Sequence, residues 1–215
     1  MKRASKAAFS ALAVAAVLAG LIAGYLLEGS ETPTRPQTHA ALFDRPRALP
    51  AFHMTDNAGQ AFTRRTLQGQ WSLLYFGYTH CPDVCPTTLN MLNQAVRRIA
   101  SDGGVSLPQV YFISVDPRRD TRELLSHYVP YFNPNFIGVR GAGDQLKKLA
   151  DRLGVAYSYG EGYEKGAADY TVKHSPAIFL INPAAQLEAV YTAPYKLDGF
   201  VSDYEAIVHY YEANQ

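Results

Sequence analysis

The two cysteines of this chain, Cys81 and Cys85, lie four positions apart in the segment Gly-Tyr-Thr-His-Cys-Pro-Asp-Val-Cys-Pro, residues 77–86. The 215 residues contain no further cysteine, so any sulfur chemistry depends on this pair. Thiolates are nucleophiles and soft metal ligands, and two of them at this spacing can form either a reversible disulfide or a metal site. The two residues by themselves leave both kinds of chemistry open.

The elements on either side of the cysteines are predicted to be a strand and a helix. Residues 71–76 form an apolar run typical of a buried strand, and residues 87–102 carry apolar side chains at helical spacing. A helix starting at Val84 would place Cys81 at its entrance, close enough to Cys85 for both sulfurs to face one point. The helix N-terminus would also favour the thiolate form, because its free N–H groups and its dipole stabilise negative charge.

Composition predicts one globular domain with an extension. The chain is 47% hydrophobic with a formal net charge of +1, which suits a domain of roughly 150 to 180 residues. Its basic pairs are scattered among acidic residues, whereas nucleic-acid-binding proteins concentrate lysine and arginine on one face. We therefore expect no nucleic-acid partner.

The extension is N-terminal. Residues 7–27 contain no charged residue and follow a basic stub at residues 1–6, which predicts a retained single-pass transmembrane anchor of about 20 residues. A cleaved signal peptide, with Ala13-Val14-Ala15 as the cleavage motif, is the alternative. The positive-inside rule keeps the stub cytoplasmic, so the domain is expected in the periplasm, anchored to the inner membrane. Residues 28–49, which contain three prolines, are predicted to be a linker.

Residues 50–215 are predicted to form an α/β domain with a thioredoxin-like fold. Residues 51–54 and 61–63 form an N-terminal β-hairpin extension, and the pattern that follows is β-α-β-α and then β-β-α. In such a sheet the loop before the strand at 177–181 comes close to the cysteine helix. Pro176 lies just before that strand, and we expect Ser175–Pro176 to be either cis, which would fix His174, or trans on a mobile loop.

Three motifs together resemble the Sco/SenC family. They are residues 77–86, then Val-Asp-Pro-Arg-Arg-Asp-Thr at 115–121, and Lys-His-Ser-Pro at 173–176. The resemblance implies a membrane-anchored thioredoxin-fold protein that binds copper and helps to assemble the binuclear copper centre of cytochrome c oxidase. It implies metal ligation by Cys81, Cys85 and His174, with Asp116 near the metal but not its main ligand. Tyr78, where many members have phenylalanine, is a departure that removes no ligand.

The chemistry of these residues agrees with the resemblance. Copper(I) prefers thiolate donors and accepts imidazole, whereas a closed structural zinc site normally has four ligands. The sequence does not decide between copper(I) and copper(II). His80 is placed outside the ligand set, and Asp83 is predicted to cap the helix. Surface or structural roles are expected for the other histidines, which are His39, His53, His127 and His209. Met54 and Met91 are expected in the core.

Three functions follow as hypotheses. The first is a copper metallochaperone, not an enzyme, that delivers copper to the oxidase subunit carrying the binuclear site and exchanges it with other periplasmic carriers. The second is a thiol-disulfide oxidoreductase in which Cys81 attacks and Cys85 resolves, which is compatible with a Cys81–Cys85 disulfide in the oxidised protein. The third is a peroxidase of peroxiredoxin type, which would need one activated cysteine and no histidine.

The glycine-rich stretch before His174 has two structural interpretations. It contains four tyrosines, which form either a partner-docking loop or a loop that packs onto the domain: Tyr157, Tyr159, Tyr163 and Tyr170. The sequence favours neither.

Overall fold

The computed structural model describes residues 12–20, 22 and 34–214. The predicted stub at 1–6, most of the predicted anchor at 7–27 and the first residues of the predicted linker lie outside the described residues. Of the helices formed by the described residues, none is both long and apolar enough to cross a membrane. Pro36–Glu212 forms one compact unit.

Strands and helices alternate through this unit. The strands are β1 Ala41–Ala48, β2 His53–Asp56, β3 Ala61–Thr63, β4 Ser72–Gly77, β5 Gln109–Ser114, β6 Ile137–Arg140, β7 Tyr157–Tyr159, β8 Val172–His174, β9 Ile178–Ile181 and β10 Gln186–Tyr191. The helices are α1 Val84–Asp102, α2 Arg122–Phe132, α3 Gly143–Leu153 and α4 Leu197–Glu212, and Arg64–Leu67 is a 3-10 turn.

Eight strands form one mixed sheet in the order β1-β10-β9-β4-β5-β6-β2-β3. β4 and β5 are parallel, while β9 runs antiparallel to β4 and β10 antiparallel to β9. Every residue of β4 and β9 is buried, as expected for central strands covered on both faces. Because β4 and β5 are parallel, both end at the same edge of the sheet, where the turns carrying Cys81 and Asp116 begin.

The predicted alternation is confirmed, and so is the N-terminal hairpin of β2 and β3. This hairpin joins the main sheet, because β2 pairs antiparallel with β6. The linker predicted for residues 28–49 is wrong at its end, since Ala41–Ala48 is a strand paired with β10. Pairing satisfies the edge of β10, which would otherwise leave a row of backbone groups free. Pro46 is tolerated there because β1 is itself an edge strand.

Two further differences concern the segment around His174. β7 and β8 form a separate antiparallel hairpin where the sequence indicated only a loop. The cis peptide bond among the described residues is Ala193–Pro194, so of the two alternatives for Ser175–Pro176 the structure has the trans bond. His174 is instead the last residue of β8, and its position is fixed by strand pairing with Tyr157.

Asp203 of α4 holds the first residues of the compact unit through hydrogen bonds. Its buried carboxylate accepts hydrogen bonds from the Ala40 amide at 2.8 Å and from the His39 ring at 3.3 Å. We expect Asp203→Ala to lower the free energy of unfolding by about 1–3 kcal/mol, because it leaves a buried amide unpaired. Asp169→Ala, at an exposed position, is the control and should change it by less than about 0.5 kcal/mol. Urea denaturation of both variants measures the difference, and equal midpoints would contradict this role.

Candidate metal site

Cys81, Cys85 and His174 meet at the edge of the sheet where β4 and β5 end. One ligand atom from each lies within 4.8 Å of the others. Within residues 34–214 this is the one such group of three or more histidine, cysteine or carboxylate side chains. Cys85 is fully buried in the first turn of α1, whereas Cys81 and His174 are half-buried. The structure therefore brings together the three residues that the sequence predicted, with one side of the group open to solvent.

The turn between β4 and α1 directs both sulfurs inward. The Cys81 amide donates to the carbonyl oxygen of Tyr78 at 3.2 Å, and the Cys85 amide donates to the Cys81 sulfur at 3.4 Å. Asp83 occupies the N-cap position, but its side chain makes no capping hydrogen bond, so the capping role predicted for it is wrong. The Cys81 sulfur accepts an amide N–H at the start of the helix in its place. This contact favours negative charge on that sulfur.

His174 presents one ring nitrogen to the cysteines. Its Nε2 lies 3.4 Å from the Cys85 sulfur, and its Nδ1 donates to the carbonyl oxygen of Ser175 at 3.1 Å. In the neutral ring this assignment leaves the Nε2 lone pair facing the sulfurs, which is the tautomer a metal ligand needs. The rings of Tyr75 and Tyr78 meet the imidazole edge to face at 6.2 and 5.9 Å. Strand, hydrogen bond and rings together orient the imidazole before any metal arrives.

The two thiols have opposite pKa shifts. A hydrogen bond from Cys85 is the main cause that lowers the pKa of Cys81 to about 3, with help from backbone N–H groups and against the effect of burial. The same hydrogen bond, together with burial, raises the pKa of Cys85. The pair therefore shares one proton, with a thiolate at Cys81 and a thiol at Cys85. A metal bound by both sulfurs must displace that proton.

Gly77, the last residue of β4, makes room for Cys85. A Cβ atom at this position would lie 2.8 Å from the Cys85 sulfur and 2.7 Å from the Phe112 ring. Both distances are shorter than van der Waals contact, so only glycine fits here without moving its neighbours. Gly77 belongs to the same sequence motif as the cysteines, but the sequence alone did not indicate this packing role.

Asp120 holds the turn that leads to Cys81. Its buried carboxylate accepts from the Thr79 hydroxyl and the Ser114 hydroxyl, both at 2.6 Å, and from the Thr79 amide. Burial raises the pKa of Asp120. The carboxylate thus ties the turn after β4 to the end of β5. His80 lies outside the ligand group, as predicted: its ring is half exposed and bonded to Thr79.

Asp116 holds the segment that leads to His174. Its buried carboxylate accepts from the Tyr170 hydroxyl at 2.6 Å and from Arg119 at 2.5 Å. The Arg119 guanidinium also covers the Tyr170 ring at 3.6 Å. Tyr170 precedes β8 by two residues, so Asp116 fixes the approach to His174 and is not in the ligand group itself. Sequence reasoning missed Tyr170 and Arg119 as its partners.

The tyrosine-rich stretch packs onto the domain. Tyr159 and Tyr163 stack with ring centres 3.8 Å apart, and Tyr170 meets both edge to face. The Tyr159 hydroxyl donates to the carbonyl oxygen of Val115 at 2.9 Å. Of the two alternatives left by the sequence, the structure favours the packed loop for these three rings.

Comparison with known proteins agrees with the fold. The family model SCO1/SenC matches residues 41–209. The chain belongs to the SCO1/SenC family. The human protein named "Protein SCO2 homolog, mitochondrial" is 42% identical over 132 residues, which are 61% of this chain and 49% of the relative. The chain thus spans about half the length of that mitochondrial relative.

Solved structures show the thioredoxin-like Sco fold. The crystal structure of Arabidopsis thaliana ScoI with copper bound has 32% sequence identity and a TM-score of 0.69, and the match covers 74% of this chain and 97% of that one. BsSco, in which a disulfide switch was identified, is described as a member of the Sco family of cytochrome c oxidase assembly proteins. It has a TM-score of 0.62 at 17% identity, covering 78% and 98% of the two chains, and at this identity the likeness shows the fold alone.

Gly77→Ala tests the close packing behind Cys85. The added methyl group should displace Cys85 and Phe112, lowering the free energy of unfolding by about 1–3 kcal/mol and weakening metal binding. Gly143→Ala is the matched control, because nothing lies within 4 Å of its Cβ position. Thermal unfolding and metal titration of both variants measure the effect. Equal unfolding stability and equal metal binding of the two variants would show that the contact at Gly77 does not constrain Cys85.

Alkylation tests whether Cys81 and Cys85 share one proton. Because the pKa of Cys81 is lowered to about 3, its reactive thiolate is present at every pH above that value and is lost only below it. Iodoacetamide should therefore modify Cys81 at about pH 5, far below the ordinary thiol pKa of about 8.5, while Cys85 stays protonated. Cys85→Ala removes the main hydrogen bond and should move the reaction of Cys81 towards higher pH. Peptide mapping identifies the modified residue, and a Cys81 midpoint near pH 8.5 in the unmutated protein would refute the arrangement.

Proposed function

We propose that this protein binds copper through Cys81, Cys85 and His174 and carries it as cargo. The observation behind the proposal is the meeting of two sulfurs and one imidazole nitrogen within 4.8 Å. Copper(I) prefers soft thiolate donors and accepts imidazole, which is the donor set present. The copper-bound structure of the Arabidopsis relative supports the choice of metal.

The exposure of the site suits transfer better than storage. A structural zinc site would normally be closed by four protein ligands, whereas the described residues provide three. Cys81 and His174 are half-buried, so an incoming ligand from another protein can reach the metal while Cys85 still holds it from the buried side. Because the imidazole is already oriented, binding does not require His174 to swing in from elsewhere.

We further propose delivery to the binuclear copper site of cytochrome c oxidase. Support comes from membership of the SCO1/SenC family, because the resemblance of the three sequence motifs to that family implies assembly of this copper centre. The apolar residues 7–27 support a transmembrane anchor that holds the domain on the periplasmic side of the inner membrane. The receiving subunit would then meet the site at the membrane surface.

A second function, thiol-disulfide exchange, is favoured by one specific observation: both cysteines are free and Cys81 is poised as a thiolate. Cys81 would attack a partner disulfide and release one partner thiolate. Cys85, after losing its proton, would then attack the Cys81 sulfur, leaving a Cys81–Cys85 disulfide and a reduced partner. The raised pKa and full burial of Cys85 slow this second step, so copper binding is the better-supported function.

Copper content of purified variants tests the proposal. Cys81→Ser and Cys85→Ser should each lose tight copper binding, because a hydroxyl is a hard donor that stays protonated at neutral pH. His174→Ala should weaken copper(II) more than copper(I), since two thiolates can hold copper(I) by themselves. His209→Ala, which changes a histidine outside the ligand group, is the control and should bind as the unmutated protein does. Full copper retention by the serine variants would rule out this site.

A further inference from the structure

Three arginines line one cleft beside the turn that follows β5. The cleft has a volume of about 740 Å³ and is open on one side. Its walls include Arg118, Arg122, Arg140, Thr55, Tyr159 and Tyr163, and we call it the arginine cleft. None of the three candidate metal ligands lines it.

Two of these guanidinium groups are oriented by neutral acceptors. Arg140 donates to the carbonyl oxygens of Asp120 at 3.0 Å and Pro117 at 2.9 Å, and Arg118 donates to that of Tyr163 at 2.8 Å. Carbonyl oxygens fix the direction of a guanidinium but do not cancel its charge. The cleft therefore holds oriented positive charge.

No ion pair within residues 34–214 joins a carboxylate to Arg118, Arg122 or Arg140. Arg119, directly beside Arg118, shows the contrast, since it is paired with the buried carboxylate of Asp116. Adjacent arginines in one turn thus have different roles. Arg119 is neutralised inside the domain, and Arg118 retains its charge at the cleft.

The first residues of two helices line the cleft. α2 begins with Arg122, and α3 begins at Gly143 after Ala142, whose side chain makes no capping bond. A cation in the first turn of a helix opposes the helix dipole, so the stability of α2 does not account for Arg122. Glu123 and Asp144 lie in the same first turns but do not line the cleft.

We infer that the arginine cleft docks an acidic segment of a partner protein. Guanidinium groups bind carboxylates in bidentate pairs, and three of them spread around one open cleft match several carboxylates along a chain. The cleft is much larger than one phosphate or carboxylate ion, and Tyr159 and Tyr163 supply a wall against which a peptide can pack. Charge complementarity identifies the occupant as an acidic peptide segment.

The cleft is connected to the metal site through the chain. Tyr159 ends β7, whose partner β8 ends at His174, and Arg118 follows Asp116 by two residues. A partner docked on the cleft would contact the hairpin that carries the imidazole. That this partner also exchanges copper rests on the proposed function, whereas the docking itself does not.

Binding of a fluorescein-labelled hexaglutamate peptide to the full chain tests the docking. At low ionic strength, fluorescence anisotropy should show binding that weakens as salt is added. Arg118→Gln combined with Arg122→Gln should weaken it about tenfold or more. Arg97→Gln, at an exposed arginine of α1 outside the cleft, should change it less than about twofold. Arg140→Gln should also weaken peptide binding, and circular dichroism confirms that this variant is folded.

Three results would overturn the inference. They are equal weakening by Arg97→Gln, absence of peptide binding with saturable binding of inorganic phosphate or with none, and absence of peptide binding with vesicle binding that depends on the cleft. The last is recognised when the double arginine variant binds phosphatidylglycerol vesicles more weakly than the unmutated chain, because both carry the same apolar N-terminal segment. The first would indicate nonspecific attraction, the second a small-anion site where phosphate binds, and the third a membrane surface.

Copper measurements separate this inference from the proposed function. The variant with both Arg118→Gln and Arg122→Gln should bind as much copper as the unmutated protein. Copper(I) transfer to a two-cysteine acceptor peptide should be faster when that peptide carries a glutamate tail than a serine tail, and the arginine variant should abolish the difference. Absence of copper binding would refute the proposed function and leave the docking result standing. Equal transfer to both tails would refute a role of docking in copper exchange.

Discussion

The site depends on the close contact between the Cys85 sulfur and the backbone of Gly77. Cys85 lies in the first turn of α1, next to the end of β4, and its sulfur occupies the space that a side chain at residue 77 would fill. This contact buries one thiol completely and leaves the other, Cys81, at the rim. The hydrogen bond between the two side chains, together with the burial of Cys85, gives the two sulfurs different proton affinities. The shape of one turn thus determines both where the metal would lie and which sulfur is charged without it.

Two buried carboxylates hold the loops that complete the site. Asp120 bonds to Thr79 in the turn before Cys81, and Asp116 bonds to Tyr170 in the segment before His174. Both acids come from the turn after β5, which is parallel and adjacent to β4. Burying a carboxylate is unfavourable unless it is well hydrogen-bonded, and each of these has at least two donors. One turn therefore fixes both segments that carry candidate ligands, which explains how residues far apart in sequence already lie together.

The same turn carries two arginines with different roles, one inside the domain and one at its surface. Arg119 neutralises Asp116 and covers the Tyr170 ring, while Arg118 lines the arginine cleft. The cleft and the metal site share a supporting hairpin but no side chain. Partner docking and metal binding can therefore be altered independently by mutation, although both use the same framework.

The sequence by itself determined most of the elements, because local patterns carry this information. The motifs that resemble the Sco/SenC family indicated Cys81, Cys85 and His174 as candidate ligands, and the structure brings these three together. A paired cysteine motif, apolar runs of strand length and helical periodicity are all readable over short windows, and they placed the strand before the cysteines and the helix after them correctly. Long-range contacts decided the rest. β1 is a strand because the edge of β10 needs a partner, and β8 pairs with β7, so His174 is held by a hairpin and not by a cis Ser175–Pro176 bond. The roles of Gly77, Asp120 and the arginine cleft arise from residues distant in sequence that meet only in the folded chain.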